Sequence, residues 1–208
     1  MKKLGLIVLC LAVTPALTGC NALYRLGGEK RVPAQFKPKG RMMAIVPFAD
    51  PANQAFESPE GRIVARYAGQ YIEKHDITRV TYDVYLPPGI ETKFKEEAAQ
   101  NMTAAIKGIA KATGCQLVVT GVIEDISLGR PGDVNLVGGR MPMAVIVYEV
   151  TDEVRVAWQQ HFQVIFPEGW ENEQVPVMDM PRSAIRERLL KAGGEYLGKA
   201  FHGHFEEI

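Results

Sequence analysis

The seven residues Met42 to Phe48, MMAIVPF, are apolar without a break, and Asp50 and Pro51 end the run. A run this short does not suit a helix of ordinary length, and a half-exposed strand would alternate. It reads as a central strand covered on both faces. Such a strand needs helices to cover it, and the residues after it supply them. Ser58-Pro59-Glu60 has the form of a helix start: Ser as N-cap, Pro at the first position, an acid in the first turn. Ile63, Val64, Tyr67, Ala68, Tyr71 and Ile72 then mark one face at helical spacing.

The pattern switches between helix and strand along the rest of the chain. RVTYDVYL (Arg79 to Leu86) alternates, with Val80, Tyr82, Val84 and Leu86 on one side and Pro87-Pro88-Gly89 as its stop. The spacing predicts a helix from about Thr92 to Thr113, with Phe94, Ala98, Met102, Ala105, Ile106 and Ile109 inward and Gly114 just past its end. QLVVTGVIED (Gln116 to Asp125) is the next strand. AVIVYEV (Ala144 to Val150) and VRVAWQQHFQVIF (Val154 to Phe166) flank the turn Thr151-Asp152-Glu153. In the second of these, Val154, Val156, Trp158, Phe162, Val164 and Phe166 fall on one face, opposite Arg155, Gln159, His161 and Gln163; Gln160 interrupts the apolar side. Asp179 and Pro181 open a last helix, with Ile185, Leu189, Ala192, Tyr196 and Ala200 inward. The fold class is α/β (α+β): a mixed β-sheet, order β-α-β-α-β-β-β-α, with helices covering the sheet. The early crossovers favour parallel neighbours and the late hairpin antiparallel ones.

The amino terminus is organised differently. Lys2 and Lys3 precede the apolar run LIVLCLAV (Leu6 to Val13), which is too short to span a bilayer; Pro15 and small residues lead to Cys20. This is the layout of a secretory signal. Leu17-Thr18-Gly19-Cys20 resembles the lipobox of bacterial lipoproteins, and that resemblance implies cleavage before Cys20 and acylation, including palmitate, of its residue. Residues 1–19 then form the signal peptide, 20–41 a lipid-anchored tether and 42–208 a single α/β domain. Loss of Lys2 and Lys3 leaves 22 basic against 24 acidic residues, a net of −2, which does not favour nucleic acid. Cys10 departs with the signal and Cys20 carries lipid, so Cys115 has no partner for an internal disulfide. The tether is rich in Lys and Arg (Arg25, Lys30, Arg31, Lys37, Lys39 and Arg41 against Glu29), as suits either a solvated leash or attraction to anionic headgroups.

MMAIVPFAD, ATGCQLVVTGVIED and VRVAWQQHFQVIFP, following a lipobox, resemble bacterial envelope lipoproteins whose domain is like the TolB amino-terminal domain, a family that includes CsgG and LpoB. The resemblance spans roughly Met42 to Phe205. It implies a non-enzymatic, lipid-anchored periplasmic module that binds or assembles with envelope proteins, and Asn21 after the anchor implies the periplasmic face of the outer membrane. An oligomeric component of an outer-membrane secretion system is the alternative, with a homo-oligomer as partner. A transmembrane barrel needs long amphipathic strands, and the Ser127–Met141 loop is too short to add them.

No nucleophile elbow, phosphate loop, zinc-protease helix or paired-cysteine motif is present in the sequence, and no cofactor or metal is expected. A third reading is a ligand-binding or enzymatic domain. Asp50 and Asp125 each end a strand, and parallel pairing of those strands would bring them to the carboxyl edge, where α/β sheets bind ligands. The same residues equally serve to solvate turns. Candidate partner-binding residues are Trp170 within the acidic loop of Glu168, Glu171 and Glu173, and Arg130, Asp133 and Arg140 in the glycine-rich loop. Trp170 suits an interface anchor or a plug on the core. Cys115 reads as a buried structural thiol. His202, His204 and Glu206 offer metal-ligand chemistry at a helix end, where histidine also suits the helix dipole.

Overall fold

Alternate residues of the central run bury themselves in two separate cores. Met43 and Ile45 enter the larger, and Ala44 and Val46 the smaller; Phe48, where the alternation has ended, also enters the larger. The computed structural model describes residues 29–49, 58–82, 101–129, 138–167 and 180–207. Strand β1 is Glu29–Val32, β2 Met43–Ile45 and β3 Val80–Tyr82. Strands β4 (Leu117–Ile123), β5 (Ser127–Leu128), β6 (Gly139–Val150) and β7 (Val154–Phe166) come next, and β8 is His204–Glu207. Among the described residues three helices accompany them: α1 (Pro59–Lys74), α2 (Met102–Thr113) and α3 (Arg182–Phe201).

The main sheet is mixed. β2 lies between β3 and β4 and is parallel to both. β6 runs antiparallel to β4 on one side and β7 on the other, while β5 pairs with the start of β6. Helices α1 and α3 supply Val64, Ala68, Ile72, Leu189 and Leu197 to the larger core on one face; α2 supplies Ala105, Ile106 and Ile109 to the smaller core on the other. The parallel and antiparallel halves fall where the connections predict.

Local chemistry sets the helix ends. Ser58 is 1% exposed, and its Oγ accepts a hydrogen bond of 2.8 Å from the Gly61 amide, with Pro59 next to it. Asn101 caps α2 through a 3.2 Å bond from the Ala104 amide, and of the helix expected from about Thr92 to Thr113 the described part is Met102–Thr113; residues 92–100 lie outside the described residues. Gly114 ends it at φ 69°, a left-handed position that favours glycine. In α3, Ile185, Leu189 and Ala200 are buried as expected, but Tyr196 is 46% exposed.

Two departures from the sequence pattern shape the molecule. The first is a β-bulge. Val147 faces Trp158 and Tyr148 faces Val156, leaving Ala157 as an extra residue. The bulge reverses the alternation: Trp158 packs against the larger core with Phe162, Val164 and Phe166, whereas Val154 joins the smaller one and Val156 is 52% exposed. The second is a two-stranded clasp. β1, inside the segment that reads as tether, pairs antiparallel with β8, where the sequence suggests a fraying helix end. Beyond β1, the Gln35 and Phe36 amides both donate to the Ala200 carbonyl, and Phe36 meets Phe201 and Trp158 at ring separations of 5.8 and 6.3 Å.

Candidate functional site

The parallel pairing of β2 with β4 is the arrangement that the carboxyl-edge reading requires. The pairing continues past β2, with Ala49 bridging Val122 and the Ile123 amide donating to the Ala49 carbonyl at 2.9 Å. Asp50 itself lies outside the described residues. Asp125 is exposed and accepts a hydrogen bond from the Ser127 hydroxyl. Beside it is a pocket of about 170 Å³ lined by Ser58, Glu60, Glu124, Asp125 and Arg186. Its charged groups are already engaged. Arg186 Nη2 lies 2.7 Å from Glu60 Oε1, joining α3 to the first turn of α1, and Glu124 lies 3.3 Å from His161 Nδ1. The first contact ties α3 to α1, and the second ties β7 to the end of β4. Among the described residues no group of three or more His, Cys, Asp or Glu side chains is placed to hold a metal ion.

A second concavity lies at the opposite end of the sheet, at the β6–β7 turn. Its volume is about 650 Å³, and its lining combines Phe36, Val156 and Ala157 with the charged residues Lys39, Arg41, Glu149 and Arg155. Glu149 and Arg155 are directly paired across the hairpin. Arg155 Nε donates to Glu149 Oε2 at 2.7 Å, and Arg41 Nη1 donates to the other oxygen, Oε1. Arg41 is also fixed from behind, its Nε donating to the Pro38 carbonyl at 2.8 Å, and it lies 5.8 Å from the centre of the Phe36 ring. The hydrogen bond from Arg155 lowers the Glu149 carboxyl below the usual carboxylate range, with the charges of Arg155 and Arg41 adding to it. One carboxylate thus holds two guanidiniums at the rim of an open groove, and the bulge at Ala157 turns Val156 outward beside them.

The sequence did not single out this groove, because Arg41 and Glu149 are 108 positions apart. A signal was present nonetheless: Glu149 and Arg155 flank the Thr151-Asp152-Glu153 turn at positions that a hairpin places opposite each other.

The other predicted residues disperse. Arg140 is exposed on β6, opposite Ser127 of β5 and Ile165 of β7. Trp170, Glu168, Glu171, Glu173, Arg130, Asp133 and Cys20 lie outside the described residues. Cys115 is buried in the smaller core, and burial pushes its thiol pKa up. The His202 ring lies tilted 5.2 Å from that of His75, and Tyr71 stacks on His75 at 4.3 Å. Burial, and then the neighbouring His202 and Lys74, lower the His75 pKa. His204 instead begins β8, its Nδ1 3.3 Å from the His202 carbonyl oxygen.

No known protein family matches the sequence, and no curated protein matches it. Solved structures do resemble the fold. A dodecameric PelC from Paraburkholderia phytofirmans is 14% identical, over 81% of this chain and 97% of that one, with a TM-score of 0.45. The hypothetical protein CT253 from Chlamydia trachomatis is 10% identical, over 77% and 97%, with a TM-score of 0.47. The lipoprotein GNA1162 from Neisseria meningitidis is 9% identical, over 73% and 94%, with a TM-score of 0.40. Likeness at this level transfers no residue roles. Among the described residues no helix is long and apolar enough to cross a membrane.

Proposed function

We propose that this protein is a lipid-anchored, non-enzymatic module of the bacterial cell envelope, held by Cys20 at the periplasmic face of the outer membrane and binding an envelope protein along β7. The observation that carries the binding surface is the strand itself. β7 is 13 residues long and, among the described residues, pairs only with β6. Past the bulge, Gln159, His161 and Gln163 share one face and are all exposed, and Arg155, before it, is exposed as well. A long edge without a second strand among the described residues offers a row of backbone donors and acceptors, and adding a strand from a partner is the direct way to satisfy them. The lipobox and the resemblance to envelope lipoproteins support the anchor and the compartment.

The test places a photo-crosslinking residue at Gln159 or Gln163 in cells. An adduct with a different envelope protein supports the module. An adduct only with a second copy favours the oligomeric alternative, which the same edge would serve by self-pairing. No adduct at either position removes the edge from consideration. Cys20→Ala separately tests the anchor: the variant should leave the membrane pellet in high salt, and persistent pelleting refutes lipidation.

A further inference from the structure

We infer that the groove formed by Phe36, Lys39, Arg41, Glu149, Arg155 and Val156 is a docking site for the phosphate-bearing headgroup of an anionic membrane lipid. The inference rests on the lipid-anchor reading above.

Charge is the first argument. Three cations and one carboxylate line the groove, leaving two net positive charges there in a chain whose formal net charge is zero. The second is donor geometry. A guanidinium carries five N–H donors in a fixed fork. Arg155 gives Nε and Nη2 to Glu149, and Arg41 gives Nε to Pro38 and Nη1 to Glu149. Among the described residues, Arg155 Nη1 and Arg41 Nη2 have no acceptor, and Lys39 is exposed without a partner. Glu149 therefore acts as an organiser. It sets two forks side by side and leaves an edge of each for an incoming oxyanion, which guanidinium binds with directional hydrogen bonds.

The third argument is the apolar neighbour. The bulge exposes Val156 next to Arg155, so the groove offers carbon as well as charge. Free phosphate offers nothing to an apolar side chain, whereas a lipid phosphate is joined through its glycerol to acyl chains. The fourth is reach. Eight residues separate Cys20 from Glu29, and fully extended they span at most about 30 Å. A tether this short keeps the start of β1 near the headgroup layer, and Phe36, Lys39 and Arg41 of the groove follow β1 closely in the chain. Attraction between basic residues and an anionic leaflet fades within about a Debye length, so the groove must touch the surface to work.

The experiment uses the full acylated protein reconstituted into vesicles of phosphatidylcholine alone and of phosphatidylcholine mixed with phosphatidylglycerol. Phenylglyoxal modification of Arg155 is followed by peptide mass spectrometry, with Arg66, exposed on α1, as internal reference. Modification of Arg155 relative to Arg66 should slow in the mixed vesicles by about fivefold, the equivalent of one basic residue's attraction to an anionic leaflet. Lys39→Gln should reduce that protection while flotation is unchanged. Equal rates in the two vesicle types, with the protein floating on both in high salt, overturn the headgroup site and leave the anchor standing. Equal protection by free glycerol phosphate on phosphatidylcholine vesicles also overturns it, because the ligand is then soluble. Failure to float on either vesicle refutes the anchor, and the headgroup site falls with it.

Discussion

Gly193 and Gly194 are adjacent in α3, yet a methyl group at each meets very different obstacles. At Gly194 a β-carbon would lie 2.5 Å from Tyr67 Cβ, 2.7 Å from the Val64 carbonyl oxygen and 2.9 Å from the Ala68 amide nitrogen. These atoms belong to the α1 backbone or sit one bond from it, so they yield only if the two helices part. At Gly193 the nearest atom is the terminal methyl of Met141, at the end of a flexible thioether chain. Alanine gains about 1 kcal/mol over glycine in a helix interior at either position. Overpacking costs about 1–3 kcal/mol, with the upper end expected where backbone must move. Gly194→Ala should therefore lose about 2 kcal/mol net, while Gly193→Ala should come out near zero. For a chain of this length the difference corresponds to a Tm gap of about 4–8 °C. Thermal unfolding followed by circular dichroism on the two variants measures it directly. Equal melting temperatures, or Gly193→Ala as the less stable of the two, would refute the close-packed seam between α1 and α3.

Three further outcomes are expected. Ser58→Ala removes the cap of α1 at a buried position and should cost about 1 kcal/mol, read as a lower urea midpoint with unchanged slope; an unchanged midpoint would mean the cap is dispensable. Because the Glu149 pKa is lowered in the folded state, its contribution to stability is present above the ordinary carboxylate range and is lost as pH falls through the lowered value. Melting temperatures of the wild type and Glu149→Gln should differ most near neutral pH and converge in acid, and a gap that persists at low pH contradicts the assignment. Buried Cys115 should resist iodoacetamide at mildly alkaline pH until the protein unfolds, and labelling of the native state at the rate of an exposed thiol would contradict its burial.

The sequence carried the parts of the fold that depend on local periodicity. The doubly buried β2, the capped start of α1, the Gly114 stop and the antiparallel β6–β7 hairpin all arise from residues close together in the chain. What escaped depends on register or on distant partners. A bulge leaves no trace in a stripe of alternating apolar residues: Val154, Val156 and Trp158 keep even spacing while Ala157 divides them between two faces. Tyr196 keeps helical spacing with Leu189 and Ala200, yet it lies at the rim, against the edge of Phe162. The candidate site was less legible still. The adjacency of the strands that carry Asp50 and Asp125 could be anticipated from the crossovers, but the groove depends on Arg41 reaching a carboxylate far along the chain.

The clasp of β1 with β8 bears on the timing of assembly. Its register joins Glu29 to Glu207 and Val32 to His204, so the ladder closes nearly the whole length of the chain on itself. β1 is among the first described residues to be synthesised and β8 is the last. The sheet and its helices can assemble while β1 waits unpaired, but the ladder cannot form until the residues of β8 are available. Closing so long a loop also carries the largest entropic cost of any contact in the fold, so it is favoured only once the rest is in place. A chain truncated by even a few residues at its carboxyl terminus would keep its cores and lose the clasp. The pairing of β1 thus ties the segment ahead of the central strand to residues that emerge only after α3.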